Sequence, residues 1–203
     1  WLGVGCGARL FLFTQKQIIM QYIAKDNPGY TEIVTTAEVI EHCYLPSDAS
    51  TSQLNVWIKT ARRWVERHCS IALVAKTVQV SYKNFPSSGL GPLFLPLATE
   101  SASITSMTYI DTEGETTTVD AANIVLCNIA TPPYITPKVT AWPTSGSNLI
   151  ITYTATQHYD YDIYKPAIMM LVAHLAENRE IVESKFSNSL TNLLAPIKVV
   201  YHP

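Results

Sequence analysis

The chain has 203 residues, of which 47% are hydrophobic and only 15% are charged, and its formal net charge is −2. This length fits one domain or a domain with appendages, and the apolar fraction can build a core, which excludes wholesale disorder. The near balance of 16 acidic and 14 basic residues argues against tight nucleic-acid binding, which requires clustered Lys and Arg.

The first segment is unusual in composition. Residues 1–13 are apolar and Gly-rich, but they lack the charged leading region and the small-residue cleavage site of a signal peptide. Met20 begins a plausible reading frame, so residues 1–19 are interpreted either as an upstream extension or processed arm, or as part of the native chain. A turn signal at Asp26-Asn27-Pro28-Gly29 follows, and an N-terminal arm is therefore expected over residues 1–33.

Two segments carry helix signals. Thr35 and Glu38 form a capping box, in which each side chain accepts a hydrogen bond from the other's backbone, and this predicts a helix over about residues 36–44. A second capping box begins at Ser50 and opens a predicted helix over residues 51–69. The apolar residues of this second helix recur at steps of three and four and form one stripe: Leu54, Trp57, Ile58, Ala61, Trp64, Val65 and His68.

The pattern then changes to short alternating segments with Pro-rich connections. This predicts a small antiparallel β region over about residues 76–155. Its clearest strand is 77–82, and Asp111-Thr112-Glu113-Gly114 is a hairpin signal between two further strands. The other predicted strands are 93–95, 104–110, 116–119, 124–127, 134–135 and 149–154.

Helical periodicity returns at Lys165-Pro166 and predicts a helix over about residues 165–180, with the proline in its first turn. Helices on both sides of a β region predict an α+β fold, in which the N-terminal helices and the C-terminal helix pack together. The β region is an insertion, and an extended C-terminal tail follows the last helix. The expected organisation is an arm (1–33), one domain (34–182) and a tail (183–203).

Nucleophilic chemistry has two candidate pairs, His42-Cys43 and His68-Cys69, because a thiolate beside an imidazole can act as a nucleophile or a metal ligand. Neighbours on a helix point about 100° apart and cannot bond to each other, so these residues are interpreted as core or capping residues. The four cysteines have no compact spacing. They indicate neither a zinc site nor a disulfide framework, and reduced thiols are expected.

Other catalytic patterns are incomplete. His174 and Glu177 resemble half of a helix-borne zinc motif, but the second His is absent, so His174 is interpreted as a core or interface residue. Asp160 or Asp162 with Glu177 or Glu180 would resemble a glycosidase carboxylate pair, but acidic residues are common in loops and at helix ends. With no phosphate-binding loop and no Gly-x-Ser-x-Gly, the sequence predicts no enzyme, catalytic residue, metal site or cofactor.

The densest group of basic residues lies on the second predicted helix. Lys59, Arg62, Arg63 and Arg67 occur among Trp57, Trp64 and Glu66. We interpret them as a solvated helix face.

The short motifs, taken together and in order, resemble the head–tail connector (adaptor) proteins of long-tailed bacteriophages, from about Val34 to Tyr201. The matching motifs are TTAEV (35–39), Ala61 with Val65-Glu66, Tyr82 with Phe85-Pro86, Leu95-Pro96, Ser103-Ile104-Thr105-Ser106 with Tyr109-x-Asp111-x-x-Gly114, Trp142-Pro143 before 150–153, Pro166-x-Ile168, Leu171-Val172-Ala173-His174 to Glu177-Asn178-Arg179-Glu180, and Leu193-Leu194-x-Pro196. Two departures are the first 33 residues, which have no counterpart, and the loop 155–162, which carries Tyr and His insertions.

The resemblance implies a structural subunit that forms a ring, dodecameric to match the portal, and continues the DNA channel from head to tail. The implied partners are the portal protein, further copies of the chain, and stopper or tail proteins. DNA passes through without sequence-specific binding, and no membrane is involved. The implied location is the neck of the virion, with assembly in the host cytoplasm.

Two groups of residues are candidates for contact. A ring requires an interface between two different patches of the same chain, and the candidates for this subunit interface are Trp57, Trp64, His174, Glu177 and Arg179. The strand-like end of the tail is expected to dock on the portal by strand addition, through Leu193, Leu194, Pro196, Ile197, Val199 and Tyr201. The alternative is a tail that folds back on its own domain or is frayed.

Other functions remain open at this stage. Within the structural class, the chain could be a tail-terminator or stopper ring protein. In a different class, it could be a β-rich carbohydrate- or ligand-binding module, with Tyr134, Trp142 and Tyr153 forming an aromatic platform, or an enzyme that uses the His and Cys residues.

Overall fold

The computed structural model describes residues 19–86, 89–99, 101–138, 141–143, 145–155, 161–178 and 188–199. Four helices and two β-sheets, antiparallel where the strand pairing is resolved, confirm the predicted α+β class. In chain order the elements are β1 (Ile19–Asp26), α1 (Thr36–His42), α2 (Thr51–Cys69), β2 (Lys76–Asn84), β3 (Leu93–Phe94), β4 (Ser103–Ile110), β5 (Thr116–Thr118), β6 (Ile124–Cys127), β7 (Tyr134–Pro137), β8 (Ser147–Ala155), α3 (Tyr161–Asn178) and α4 (Asn188–Leu194).

These elements belong to two compact units. The helical unit contains the described residues of Asp26–Lys76 and Thr156–Val200, and the β unit contains residues 19–25 and Thr77–Ala155. The sequence-based division into an arm, one domain and a tail follows different boundaries, because the described residues 19–25 belong to the β unit, residues 26–76 to the helical unit, and residues 77–155 again to the β unit.

The first two helices form as their sequence signals predict. At α1, the Thr35 N–H donates to Glu38 Oε2 at 2.9 Å while the Glu38 N–H donates to Thr35 Oγ1 at 3.3 Å, which completes the capping box. Helix α2 has the predicted bounds, and its N-cap Ser50 accepts from the Gln53 N–H at 3.5 Å, which is one of the two hydrogen bonds of the predicted capping box. Helix α1 ends at His42, two residues earlier than predicted.

Helix α3 begins at Tyr161, one turn earlier than predicted, so that Pro166 lies inside the helix and not in its first turn. The proline has no N–H to donate to the carbonyl of residue 162, and the helix loses one hydrogen bond there. Burial of the apolar residues that follow compensates this loss, since Ala167, Ile168, Leu171 and Val172 are each at most 3% exposed. Residues 179 and 180, which the prediction included, lie outside the described residues.

The core of the helical unit is formed by the stripes of its helices. Residues Leu54, Ile58, Ala61 and Val65 of α2 cluster with the buried residues of α3 and with Leu190 and Leu194 of α4. Each side chain is almost fully buried, and the burial of each Leu, Ile or Val among them stabilises the fold by roughly 1.5–3 kcal/mol. The prediction that the N-terminal helices and the last long helix pack together is therefore confirmed.

The β unit contains both sheets. The larger sheet has the order β1-β2-β8-β4-β5 and the smaller one has the order β3-β7-β6. Strands β2 and β8 alternate between buried and more exposed residues, so one face of the larger sheet is buried. Strand β1 was not predicted from the sequence; the segment expected to be an arm supplies an edge strand of the larger sheet.

The C-terminal segment differs from the extended, strand-like tail that the sequence analysis predicts. Residues 188–194 form α4, and Ala195–Ile197 form a 3-10 turn. Leu190 and Leu194 are 3% and 0% exposed in the core of the helical unit, and the Val199 N–H donates to the Cys69 carbonyl at 2.9 Å. Hydrophobic burial thus holds this part of the tail on its own unit, while Val200–Pro203 lie outside the described residues.

Replacing Leu194 by Ala should lower the free energy of unfolding by about 2–5 kcal/mol, because the substitution opens a cavity in a closed core. Leu193→Ala is the matched control, since Leu193 is 38% exposed and its truncation should change stability by about 0.5 kcal/mol or less. Urea denaturation of both variants measures the difference, and equal unfolding midpoints would contradict the assignment of Leu194 to the core.

Candidate interaction surfaces

The cysteines and histidines singled out in the sequence are not arranged as a nucleophile. Burial and the charge of Glu177 raise the pKa of the Cys43 thiol, and burial raises the pKa of Cys69 to about 11. Both groups are therefore protonated at neutral pH, whereas nucleophilic cysteines need a lowered pKa. His68 stacks on Trp64 with ring centroids 4.9 Å apart, which supports the packing role that the sequence analysis assigned.

Two of the cysteines, Cys43 and Cys69, are free. Cys127 is disulfide-bonded, so the expectation of reduced thiols does not hold for Cys127. No group of three His, Cys, Asp or Glu side chains able to hold a metal ion occurs within the described part of the chain. None of the described helices is long and apolar enough to cross a membrane.

The carboxylate pair suggested by the sequence is not formed by the residues that the structure describes. Asp162 and Glu177 are both exposed on α3. They are 15 positions apart (177 − 162), which places them roughly 22 Å apart along the helix axis, far beyond the separation that glycoside hydrolysis uses. Asp160 and Glu180 lie outside the described residues.

The aromatic platform suggested for a carbohydrate-binding module is not formed either. Trp142 is 3% exposed and Tyr153 is 0% exposed, and only Tyr134 is half-buried. The Trp142 indole N–H donates to the Gly91 carbonyl at 2.7 Å, and the Tyr153 hydroxyl donates to the Pro96 carbonyl. The rings of Trp142 and Tyr153 pack inside the β unit, and neither offers an exposed face to a sugar.

A network of buried charges, which the sequence analysis missed, surrounds Arg62. The Arg62 side chain is fully buried and forms ion pairs with Asp26 at 2.8 Å, Glu32 at 2.9 Å and Glu66 at 2.9 Å. Lys76 contacts both Asp26 and Glu66. The prediction that Arg62 belongs to a solvated face is wrong, because this residue lies on the buried side of α2.

The other basic residues of α2 do lie on an outer face. Arg63 has a 59% exposed side chain, Arg67 is exposed and Lys59 is half-exposed. Together with Val56, which is 56% exposed, they follow one line of the helix at steps of three and four residues. We call this line the basic ridge.

The predicted subunit-interface residues fall on two helices. Trp57 and Trp64 are half-buried on α2. Each follows a residue of the basic ridge by one position and therefore lies about 100° of helix rotation from the ridge. His174 and Glu177 lie on one face of α3 with Met170, which is 40% exposed. Arg179 lies outside the described residues. All four described candidates are therefore at least partly accessible, and their role in an interface stays a prediction.

The tail residues predicted to dock divide into two kinds. Leu193 and Pro196 are exposed, and Val199 is half-buried. Leu194 is buried in the core of the helical unit and has no surface to offer in this fold. The Ile197 side chain and Tyr201 lie outside the description.

The hairpin between β4 and β5 is an acidic surface. Asp111, Glu113, Glu115 and Asp120 lie within ten residues, and the last three are exposed. Asp111 Oδ1 accepts from the N–H groups of Glu113 at 2.9 Å and Glu115 at 3.0 Å, and Oδ2 accepts from the Thr117 hydroxyl at 3.0 Å. We call residues 111–120 the acidic hairpin.

Comparison of three-dimensional structures finds proteins with the same fold as this chain, whereas comparison of sequences does not. No protein-family model and no curated protein matches the chain. Three-dimensional comparison finds a chain in the neck of an empty gene transfer agent (GTA) particle computed with C6 symmetry, with a TM-score of 0.68 and 19% identity over 89% of this chain and 97% of that chain.

Two related structures give the same result. A chain in the virion of a native GTA particle matches with a TM-score of 0.63 at 19% identity, over 86% of this chain and 97% of that chain. A chain in the neck of a native GTA particle computed with C12 symmetry matches with a TM-score of 0.63 at 18% identity, over 89% and 97%. These likenesses establish a shared fold, and they agree with the predicted resemblance to head–tail connector proteins.

Replacing Arg62 by Ala should lower the free energy of unfolding by about 3–5 kcal/mol, because buried carboxylates would lose their counter-charge. Arg63→Ala is the matched control, since the neighbouring guanidinium is largely exposed and its loss should change stability by about 0.5 kcal/mol or less. Chemical denaturation at neutral pH measures both. A similar midpoint for the two variants would show that the network contributes nothing.

The ion pair between Glu38 of α1 and Lys165 of α3 predicts a pH-dependent stability. The hydrogen bond from Lys165 and that from the Thr35 backbone lower the pKa of Glu38 from 4.5 to about 2. A lowered folded-state pKa contributes stability above pH 4.5 that is lost as the pH falls toward 2. Because both side chains are about one-third exposed, solvent screening limits the contribution to about 1 kcal/mol.

Glu38→Gln should therefore destabilise the protein at pH 6 and have little effect at pH 2. Glu41→Gln, at an exposed position of the same helix, is the control and should behave alike at both pH values. Thermal unfolding across this range measures the difference. A deficit of Glu38→Gln that persists at pH 2 would contradict the ion-pair explanation.

Proposed function

We propose that the chain is a structural subunit of the neck of a tailed phage or phage-like particle. In this role it forms a ring beneath the portal, joins head to tail and continues the channel through which DNA passes. The observation that carries the proposal is the fold shared with GTA neck chains over 89% of this chain and 97% of the neighbour. A match over nearly the whole of both chains is more informative than a shared small motif would be.

The symmetry of the related particles supports a ring of twelve subunits. The necks that contain the structural neighbours were computed with C6 and with C12 symmetry. Cyclic rings close through one heterologous interface repeated around the axis. A low charge content of 15% suits such interfaces, whose buried centres are depleted of charged residues.

The chemistry of the described residues supports a role in assembly and not in catalysis. The thiols of Cys43 and Cys69 have raised pKa values, and the suggested carboxylates are far apart on α3. We propose that Trp57 and Trp64 of α2, and His174 and Glu177 of α3, contribute to contacts between subunits. Aromatic residues are enriched in the parts of interfaces that carry most binding energy.

The C-terminal segment is proposed to dock on the portal. Its exposed residues Leu193 and Pro196 sit on α4 and the following turn, while Leu190 and Leu194 anchor α4 in the core of the helical unit. This arrangement supports docking through α4, which is anchored in the core, and through the few residues that follow it. It differs from the docking by a long extended strand that the sequence analysis expected. Residues Ile197, Val199 and Tyr201 continue that end.

The docking proposal predicts that Leu193→Asp leaves folding intact and lowers the fraction of heads carrying this subunit. The reason is that Leu193 is exposed, so a carboxylate there disturbs a partner and not the core. Truncation after Val199, which keeps the bond to the Cys69 carbonyl, should act in the same direction. The measurements are thermal unfolding and quantitative mass spectrometry of purified particles, with the portal protein as the internal standard.

The matched control is Ile129→Asp, at an exposed apolar residue of the β unit that lies outside the tail, the basic ridge and the acidic hairpin, and it should leave the amount of subunit in particles unchanged. If Leu193→Asp and the truncation fold normally and the subunit is still present at the wild-type ratio to the portal, the tail is not the docking element. If the wild-type subunit itself is absent from purified particles, the proposed function fails.

A further inference from the structure

The basic ridge of α2 is electrostatically unfavourable when considered alone. Lys59, Arg63 and Arg67 succeed one another at intervals of four residues, and like charges at this spacing repel on a helix surface. Arg63 approaches Asp26 at 3.4 Å. Among the described residues, no ion pair is formed by Lys59 or Arg67, so an external group of negative charge would relieve the repulsion.

The acidic hairpin has the opposite charge and the same lack of compensation. Residues 84–137 contain five carboxylates and no Lys, Arg or His. No ion pair among the described residues involves Glu113, Glu115 or Asp120. The chain, with a net charge of only −2, thus carries two separate surfaces of opposite sign.

The acidic hairpin is also held in one shape. Asp111 accepts hydrogen bonds from two backbone N–H groups and one hydroxyl of its own turn, and Gly114 adopts φ +86°, which a side chain would strain. Glu113 and Glu115 therefore project from a preorganised tip. A surface that is already ordered loses less conformational entropy when it binds.

We propose that the acidic hairpin of one subunit docks on the basic ridge of the next subunit in the ring. This inference rests on the proposed function, and it names the surfaces that form the ring interface. The two surfaces are different patches of one chain, which is what a heterologous contact requires. Trp57 and Trp64, which flank the ridge, add the aromatic surface that interfaces favour beside arginine.

A charge exchange tests the pairing. One variant carries Lys59→Glu and Arg67→Glu, which leaves Arg63 and its contact with Asp26 in place and gives opposite charges at four-residue spacing. The other carries Glu113→Lys and Glu115→Lys on the exposed tip. Each variant alone should reduce the amount of subunit in particles roughly tenfold or more, since close charge pairs at interfaces are strongly coupled.

The two double substitutions combined in one chain should restore assembly to near the wild-type level, because the charges are exchanged and not lost. The controls are Lys83→Glu and Glu41→Lys, exposed residues outside both surfaces, which should assemble normally. If the combined variant enters particles no better than either double substitution alone, the pairing is wrong. The ridge would then contact DNA or another protein.

Zero-length cross-linking gives a second measurement that does not depend on particles. A carbodiimide joins the Lys59 amine to a carboxylate in direct contact, with loss of water. In a mixture of isotope-labelled and unlabelled chains at high concentration, mixed-label peptides linking Lys59 to Glu113 or Glu115 are expected. Their absence overturns the pairing, whereas a subunit missing from particles overturns the proposed function.

Discussion

The buried guanidinium of Arg62 constrains the construction of the helical unit more than any other group. A cation removed from water is tolerated only when counter-charges and hydrogen bonds replace its hydration. Arg62 obtains them from Asp26, Glu32 and Glu66, and the Tyr30 ring lies 5.1 Å from its central carbon. The four residues that surround Arg62, from Asp26 to Glu66, span about forty positions of the sequence and must therefore all lie beside one turn of α2.

This requirement reaches the strands as well as the helices. Asp26 is the last residue of β1 and Lys76 is the first residue of β2, and both belong to the network around Arg62. Burial alone would raise the pKa of Asp26, but the hydrogen bonds from Arg62 and Lys76 hold this pKa well below its usual range. The carboxylate stays ionised at neutral pH, and the ion pair between Asp26 and Lys76 joins the two ends of the segment Asp26–Lys76 of the helical unit.

Sequence reasoning succeeded where the determining interactions are local. The capping box of α1, the N-cap of α2 and the apolar stripe of α2 involve residues three or four positions apart, and α2 was predicted to the residue. Arg62 was misplaced because two of its partners, Asp26 and Glu32, are at least thirty positions away, and only Glu66 at four positions gave a local signal. Similarly, α4 has too few residues to show a period, and its burial depends on contacts with α3 and with the core of the helical unit.

The aromatic residues illustrate the same limit from the functional side. In the sequence, Trp142 and Tyr153 are of the residue types that form aromatic binding platforms. In the fold, main-chain carbonyls of the β unit accept hydrogen bonds from the Trp142 N–H and the Tyr153 hydroxyl. These hydrogen bonds allow the two aromatic side chains to be buried. Composition alone cannot distinguish a ring that binds a ligand from one that satisfies a neighbouring backbone, since both need the same residue type.

Pairing of opposite charges suits a subunit that assembles on a larger structure. Electrostatic complementarity contributes more to orientation and association rate than to affinity, so such an interface selects the correct neighbour without forcing free subunits together. Docking of each subunit on a common base raises the local concentration, and contacts that are weak in solution then become favourable. In the proposed ring every basic ridge would meet an acidic hairpin, whereas an open arc would leave one of each unpaired, and the proposed pairing would therefore favour closure.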